Sequence, residues 1–326
     1  MPEAERMHQG EGIALFTEQA KLDKKTNRLK SHYTPLYIMM IPGLLYFLIN
    51  NYLPMAGLII AFKKINFSVG ILQSPFIGLK NFEFLFKTKD AWTITRNTIG
   101  YNVLFIVLGT TLAITIAILL NEVASKKMKS FYQGLYLLPF LISIVVISYL
   151  GFGFLSTDVG FINRFLEGIG RDPISWYTTP KYWPYILVIV NIWKGFGYFS
   201  IIYFATLVGF DRSYYEAAVI DGANRWQQII NVTLPLLKPT IITLVLLAIG
   251  RIFYSDFGLF YQVPMNSGPL IPVTQTIDTY VYRGLMQMGN IGMASASGFY
   301  QSIVGFILVL SANWITNRIS KEHALF

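Results

Sequence analysis

Polar residues inside apolar stretches are the first candidates for chemistry in this sequence of 326 residues. Lys194 shares a helical face with Asn191 and Tyr198, because spacings of three and seven residues return side chains to one side of an α-helix. Hydrogen-bond donors beside an aromatic ring suit the hydroxyls and ring faces of a glycan, and a lysine can also meet a uronate carboxylate. Alternatively, Lys194 pairs internally or caps backbone carbonyls near Gly195 and Gly197.

A second polar set, Arg251, Ser255 and Asp256, follows within an apolar stretch. Arg251 and Asp256 are separated by about 140° around a helix, so an ion pair within one helix is unfavourable. Charges inside membrane spans usually face a partner or a water-filled cavity. We therefore expect this set, with Asn191, Lys194 and Tyr198, to line a pathway. Asp278 and Arg283, farther along, are expected to gate the pathway or to contact a protein on the outer side.

Several other chemistries are excluded by what the sequence contains. Cysteine is absent, and the three histidines lie near the termini at positions 8, 32 and 323, so neither a cysteine-ligated metal nor a catalytic histidine cluster inside the spans is expected. No G-x-x-x-x-G-K-[ST] motif occurs, so this chain is not expected to bind ATP. The net charge of +9 comes mostly from residues that flank apolar segments, which argues against nucleic-acid binding.

The elements that position these residues are predicted to be membrane spans. Hydrophobic residues make up 54% of the chain and charged residues only 13%, against about 25% charged residues in soluble domains. Windows of about 20 apolar residues predict an all-α membrane protein with six spans. The predicted spans are residues 36–62, 98–120, 135–155, 183–210, 236–257 and 299–315.

Loop charges give a weak indication of orientation. With the N-terminus inside, Lys and Arg number 14 in the cytoplasmic parts and 10 in the outer loops. The predicted domains are a cytoplasmic N-terminal tail (1–34), a transmembrane domain (35–318) and a cytoplasmic C-terminal tail (319–326). Residues 76–86, FIGLKNFEFLF, are expected to form an interfacial helix with Phe76, Leu79, Phe82 and Leu85–Phe86 on its apolar face.

The loop 211–235, between the fourth and fifth predicted spans, has the pattern of two short helices. Ser213 and Glu216 predict a capping box at the start of the first helix, and Ala217 and Ala218 permit close approach of another surface. Asp221-Gly222 predicts a turn, since glycine accepts a left-handed backbone.

A second helix is expected near Asn224–Val232, with Pro235 ending it before the next span. The alternative, an amphipathic connector lying on lipid headgroups, is disfavoured. Few bulky apolar residues share one face of this loop, and only Arg212 and Arg225 are basic.

The order E-A-A-x-x-D-G-A at residues 216–223 resembles the EAA loop of binding-protein-dependent ABC importer permeases. In that family the loop is a cytoplasmic coupling helix that sits in a groove of a separate nucleotide-binding subunit. The resemblance implies that ATP and Mg are bound by that partner and none by this chain, which is not an enzyme. The expected coupling residues are Tyr215, Glu216, Ala217, Ala218, Asp221, Gly222, Ala223 and Arg225.

Other stretches resemble the carbohydrate branch of these permeases, including importers of alginate and of pectin-derived fragments. The resemblance is carried by DFGLFYQVP (256–264), TQTIDTYVYRGLM (274–286), SGFYQSIVGFILVLSAN (297–313) and the outer segment 76–86. It implies the type I permease fold with both termini cytoplasmic, in the inner membrane of a bacterium. The implied partners are a second homologous permease, two ATPase subunits and an extracytoplasmic binding protein.

The expected cargo is an oligosaccharide, including acidic, uronate-containing ones. The alternative within the family is a permease for another solute, such as an amino acid or a peptide. A membrane enzyme or an ion-coupled carrier is the alternative outside it. Catalysis would require a convergent cluster of histidines, carboxylates or metal ligands within the spans, and the sequence predicts none.

Overall fold

The computed structural model describes residues 33–319, and long apolar helices dominate them. Five helices are long and apolar enough to cross a membrane, and a bent pair of helices supplies a sixth crossing if it counts as one span. The spans are named by order: first, Tyr33–Phe62; second, Asp90–Glu122; third, Lys126–Leu141 with Ile144–Leu155; fourth, Pro180–Val208; fifth, Arg225–Ile249; sixth, Ile291–Ile319.

Short helical segments connect the spans, and within residues 33–319 the only strand-like pairing is one bridge between Lys63 and Phe76. The prediction of an all-α protein is therefore confirmed over the described part of the chain. The connecting segments are Gly70–Gln73, Gly78–Phe82, Glu83–Lys87, Phe161–Gly168, Trp176–Thr178, Ser213–Ile220, Phe257–Tyr261, Gly268–Leu270, Ile271–Thr274 and Ile277–Met286.

The chain divides into two compact units, with the boundary between Ile59 and Ile60. The described part of the first unit is one helix whose side chains are almost all exposed, as a helix surrounded by lipid or by other chains requires. The described part of the second unit, residues 60–319, contains three apolar cores. One core packs the second span on the fourth through Ala113, Ala117 and Tyr203, where the alanines allow the helices to approach closely.

The third span is broken rather than straight, which corrects the predicted continuous span 135–155. Its two helices are bent by 91° at Ile142–Ser143. Pro139, near the end of the first helix, has no N–H to donate. The Ser143 side chain then accepts from the Val146 N–H at 3.3 Å and caps the second helix.

The fifth span also differs from its predicted bounds of 236–257. It begins earlier, at Arg225, and its helix ends at Ile249. Arg251, Ser255 and Asp256 therefore lie beyond the helix, so the helical separation expected between Arg251 and Asp256 does not apply. The predicted tails fall almost entirely outside the described residues.

The outer segment 76–86 is helical, as Gly78–Phe82 and Glu83–Lys87, but its apolar side chains divide between two environments. Phe82 joins a buried core, whereas Phe76 and Leu79 remain exposed. A single interfacial face was expected for all three, so that prediction is wrong for Phe82.

Candidate coupling loop and transmembrane pathway

The first helix of the coupling loop 211–235 runs over Ser213–Ile220 and starts differently from the prediction. Arg212 occupies the N-cap position, and no side-chain capping bond is present, so the capping box of Ser213 and Glu216 is wrong. Instead the Asp211 carboxylate accepts from the Ser213 N–H at 2.9 Å. This backbone hydrogen bond lowers the pKa of Asp211 below its ordinary value.

The turn predicted at Asp221-Gly222 is confirmed. Gly222 has a φ of +79°, in the left-handed region that glycine adopts without a steric penalty. The N–H of Ala223 reaches back to the Ala218 carbonyl at 2.9 Å, which closes the first helix. The chain therefore reverses over residues 221–224, where Gly222 and Ala223 have little or no side chain.

A capping box does occur in the loop, but at the second helix. The Gln227 N–H donates to Asn224 Oδ1 at 2.9 Å, and the Asn224 N–H donates to Gln227 Oε1 at 2.8 Å. The Asn-x-x-Gln spacing carried this signal, since a polar N-cap and an amide three residues later are the two halves of the motif.

Pro235 does not end the second helix, which corrects a further prediction. The helix continues from Arg225 to Ile249 through a π-helical turn at Ile229–Thr233. A π turn widens the helix just before the proline, where its ring would otherwise meet the backbone of the preceding turn. The second helix of the coupling loop is therefore the start of the fifth span.

Two side-chain contacts join the two helices of the coupling loop. Gln228, which is buried, donates through Nε2 to the Ala223 carbonyl at 2.9 Å. The hydroxyls of Tyr215 and Thr233 lie 3.2 Å apart and join the first helix to the second. Both contacts join the first helix and its turn to the helix that continues into the fifth span.

The outer surface of the coupling loop is exposed and partly apolar. Ile220 at the end of the first helix is 85% exposed, and Trp226 on the second helix is 69% exposed. Glu216 and Ala217 on the first helix are exposed as well. Large exposed apolar side chains grouped in this way mark an interaction surface. The remaining predicted coupling residues lie on the same loop: Ala218 and Ala223 are half-buried, and Asp221, Gly222 and Arg225 are exposed.

A cavity of about 950 Å³ lies between the coupling loop and the ends of the second, third and fourth spans. Its wall includes Glu122, Lys129 and Arg225. Arg225 pairs with Glu122 at 3.7 Å, and Lys129 donates to the Asn121 carbonyl at 3.1 Å. The first contact links the coupling loop to the end of the second span, and the second links the second span to the third.

Lys194 lies at the break of the third span. Its ammonium donates to the carbonyls of Phe140 at 3.1 Å and Ile142 at 2.7 Å. Carbonyls at a helix end have no partner within the helix and need one where water is scarce. Of the two alternatives for Lys194, the structure thus supports a carbonyl-capping role, on a neighbouring helix rather than near Gly195 and Gly197.

The face shared by Asn191, Lys194 and Tyr198 is preserved, because Trp183–Val208 is one continuous helix. Tyr198 stacks on Phe140 with ring centroids 4.7 Å apart, and Asn191 is half-buried. The third and fourth spans also touch at Gly197, where an added Cβ would overlap the Tyr136 carbonyl.

The segment 250–256 after the fifth span is held by side chains from other spans. Asn102 Nδ2 donates to the carbonyls of Ile252 and Tyr254, both at 2.8 Å. Gln301 Nε2 donates to the Phe253 carbonyl at 3.0 Å. Sequence reasoning missed both amides, although an Asn or Gln within an apolar span is the signal for such a role.

The remaining pathway candidates, Ser255, Asp256 and Arg251, have different surroundings. Ser255 donates to the Asp278 carboxylate at 2.7 Å, and the Asp256 carboxylate caps the next short helix through the Leu259 N–H at 3.1 Å. Arg251 is exposed. The break in the third span meets this region, because an added Cβ on Gly258 would overlap Ile144.

Arg283 is turned inward rather than toward a docking protein. The residue is 5% exposed, and its Nε donates to Asn266 Oδ1 at 3.1 Å. Burial lowers the pKa of the Arg283 guanidinium. Asp278 is likewise engaged, with Ser255 and Gln301. Both residues therefore hold the segments after the fifth span in this structure. Among residues 33–319, no group of three or more potential metal ligands is present.

Comparisons with a family model and with known proteins agree on one family. Residues 89–321 match the family model described as binding-protein-dependent transport system inner membrane component. The chain is 33% identical over 287 residues to Protein LplB of Bacillus subtilis, covering 88% of this chain and 90% of that protein. It is 34% identical over 287 residues to the polygalacturonan/rhamnogalacturonan transport system permease protein YteP of Bacillus subtilis, covering 88% and 89%.

Solved structures extend the likeness to the fold. A bacterial ABC transporter involved in the import of the acidic polysaccharide alginate matches with a TM-score of 0.81 and 33% identity, over 90% of this chain and 99% of that chain. The bacterial alginate ABC transporter in complex with an alginate pentasaccharide-bound periplasmic protein matches with a TM-score of 0.80 and 33% identity, over 89% and 96%.

Proposed function

Because the chain belongs to the family of binding-protein-dependent transport system inner membrane components, we propose that it translocates an oligosaccharide delivered by an extracytoplasmic binding protein. Family membership makes it a multi-pass inner membrane permease with the type I ABC permease fold, and ATP hydrolysis belongs to a separate subunit. The observation that carries the proposal is the exposed coupling loop. The chain that bears this loop is similar over 90% of its length to an alginate importer.

The coupling loop is the proposed docking site of the ATPase. Its exposed apolar surface needs a partner, and its first helix offers small residues that let a groove approach closely. Because the second helix continues into the fifth span, movement of the docked ATPase would tilt that span directly. The proposed contact residues are Tyr215, Glu216, Ala217, Ala218, Asp221, Gly222, Ala223 and Arg225.

The pathway is proposed to run past the break in the third span and past the segment 250–256 after the fifth span. Non-helical backbone at membrane depth is tolerated where protein or a polar cavity satisfies it. An ammonium has three N–H donors, and Lys194 uses two of them on the carbonyls of Phe140 and Ile142. The third N–H and the charge are available to a glycan. The proposed pathway residues are Asn191, Lys194, Tyr198, Arg251, Ser255 and Asp256.

The proposed cargo is an oligosaccharide, including acidic ones that contain uronates. Two similar proteins support this choice through what their names state: one is a polygalacturonan/rhamnogalacturonan permease and one an importer of the acidic polysaccharide alginate. Lys194 and Arg251 would supply positive charge toward such a cargo.

The proposed assembly pairs this chain with a second, homologous permease and two ATPase subunits that bind ATP and Mg. Closure of the ATPases on ATP would bring the two coupling loops together and open the pathway toward the binding protein. A cytoplasmic coupling loop also places both termini in the cytoplasm. The domain division into 1–34, 35–318 and 319–326 is retained within this proposal.

Uptake by the assembled importer in proteoliposomes tests the function. We expect a labelled oligouronide to accumulate only with ATP and binding protein, and to do so after ionophores collapse the ion gradients. Accumulation that follows an ion gradient without ATP would overturn the ATP-driven mechanism. Uptake of amino acids or peptides, with no uptake of uronides or neutral oligosaccharides, would overturn the cargo.

A further inference from the structure

Residues 63–81, between the first and second spans, form a loop with a polar interior, here named the inverted loop. Lys63 is only 9% exposed, and its ammonium donates to the carbonyls of Ile71 at 3.2 Å and Leu72 at 2.6 Å. Ser74, 4% exposed, accepts from the Asn66 N–H at 2.9 Å through its hydroxyl. Polar groups that a water-exposed loop would turn outward are therefore satisfied within the loop.

The inverted loop is also closed at its base. The Lys64 N–H donates to the Pro75 carbonyl at 3.0 Å, and the Ile77 N–H donates to the Phe62 carbonyl at 2.9 Å. The Asn81 amide donates to the carbonyls of Ala61 and Lys63, both at 2.9 Å. With its ends pinned and its centre bonded to Lys63, the loop presents a fixed outer surface.

That outer surface is apolar. Leu72 is 85% exposed, Phe67 is 77% exposed, and Phe76 and Leu79 are each 68% exposed. A lysine inside and leucine and phenylalanine outside reverse the arrangement that water imposes on proteins, in which Lys is among the residues least often buried. The same arrangement is favourable in an apolar surrounding, where backbone and charged groups must be satisfied internally.

We propose that the inverted loop inserts these apolar side chains into the bilayer interface, on the side opposite the coupling loop, as a membrane anchor. The loop begins where an apolar span ends, so it lies at the membrane surface. Spans two, three and four separate it from the coupling loop, which places the two on opposite sides. Lys64 and Lys80 are exposed at its ends, where they suit the phosphates of anionic lipids.

The start of the second span also indicates that this end of the protein lies at the membrane–water interface. Trp92 is 69% exposed at this end of the protein, and tryptophan concentrates at membrane–water interfaces. The proposal goes beyond oligosaccharide import and depends on neither the cargo nor the ATPase.

Spin labelling tests the anchor directly, because the absence of cysteine makes Leu72→Cys a single labelling site in this chain. The labelled importer, with cysteine-free partner subunits, is reconstituted in vesicles of phosphatidylethanolamine and phosphatidylglycerol. We expect the label to be several-fold more accessible to oxygen than to a water-soluble nickel chelate, at a depth of about 5–10 Å below the headgroup boundary. Asp172→Cys, exposed on a polar connecting loop, is the control and should favour the nickel chelate.

Each other outcome overturns the anchor and identifies what replaces it. High accessibility to the nickel chelate would place Leu72 in water, and its loss on adding binding protein would make the loop a docking surface for that protein. Low accessibility of the label to both oxygen and the nickel chelate would mean that another protein chain covers Leu72. ATP-dependent uptake is measured in parallel. If uptake is absent while the label lies at the expected depth, the result contradicts the proposed transport role alone.

Discussion

Two kinds of irregular backbone can be compared within residues 33–319. One is the coupling loop 211–235, and the other is the interruption of apolar helices, at the break in the third span and in the segment 250–256 after the fifth. The coupling loop satisfies its own polar groups: Gln227 and Asn224 cap each other, and Gln228 bonds the turn five residues away. The breaks depend on distant residues. Lys194 is 52 positions from the Ile142 carbonyl, and Asn102 is 150 positions from that of Ile252.

The difference reflects where each segment lies. A surface loop can exchange hydrogen bonds with water, so local motifs suffice and the outer face is available to a partner. A break between apolar helices has no such exchange, so each exposed carbonyl requires a donor from a neighbouring span. Changes in the coupling loop should therefore disturb the assembly, whereas changes at the breaks should disturb the spans themselves.

The largest effect is expected from Glu216→Lys in the coupling loop. The charge reversal lies on the exposed first helix, so the folded chain should persist while ATPase docking fails. We expect ATP-dependent uptake to fall more than tenfold and the ATPase to be lost from the purified complex. Glu167→Lys, an exposed acid on the connecting helix Phe161–Gly168, is the matched control and should retain both. Normal uptake and copurification for Glu216→Lys would refute the docking role.

An intermediate effect is expected from Lys194→Ala at the break of the third span. Two carbonyls lose their donor, at a cost of about 1–3 kcal/mol for each unsatisfied buried group, so the thermal midpoint of the complex should fall. Loss of the charge should also reduce uptake of an acidic oligosaccharide more than that of a neutral one. Lys238→Ala removes an exposed lysine from the fifth span and should change neither. Equal losses for both sugars would leave Lys194 with the structural role only.

The smallest effect is expected from Asn224→Ala, which removes the cap of the second helix in the coupling loop. Loss of an N-cap costs about 1 kcal/mol, so the thermal midpoint should fall by a few degrees and uptake by less than threefold. Asn231→Ala, at an exposed asparagine on the same helix, is the control. A loss of uptake as large as that of Glu216→Lys would show that loop stability, not docking chemistry, limits coupling.

Predictions from the sequence both succeeded and failed within the coupling loop. The turn at Gly222 was predicted because only a residue without a side chain enters that backbone region freely. The Ser213 capping box failed, since the carboxylate of Asp211, two residues earlier, accepts from the Ser213 N–H. Pro235 was predicted to end a helix, but the π turn at Ile229–Thr233 accommodates it, and no local pattern identifies such a turn.

The sequence by itself determined that this is a polytopic, all-helical membrane protein with a helix–turn–helix loop before its fifth span, because apolar length and glycine turns are local properties. Tertiary structure alone decided that the third span bends by 91°, that the fifth ends at Ile249, and that Lys194 and Asn102 hold those interruptions. The physical reason is the low polarity of the surroundings. There, a free carbonyl is satisfied by whichever donor packing brings near, and sequence distance places no limit on that choice.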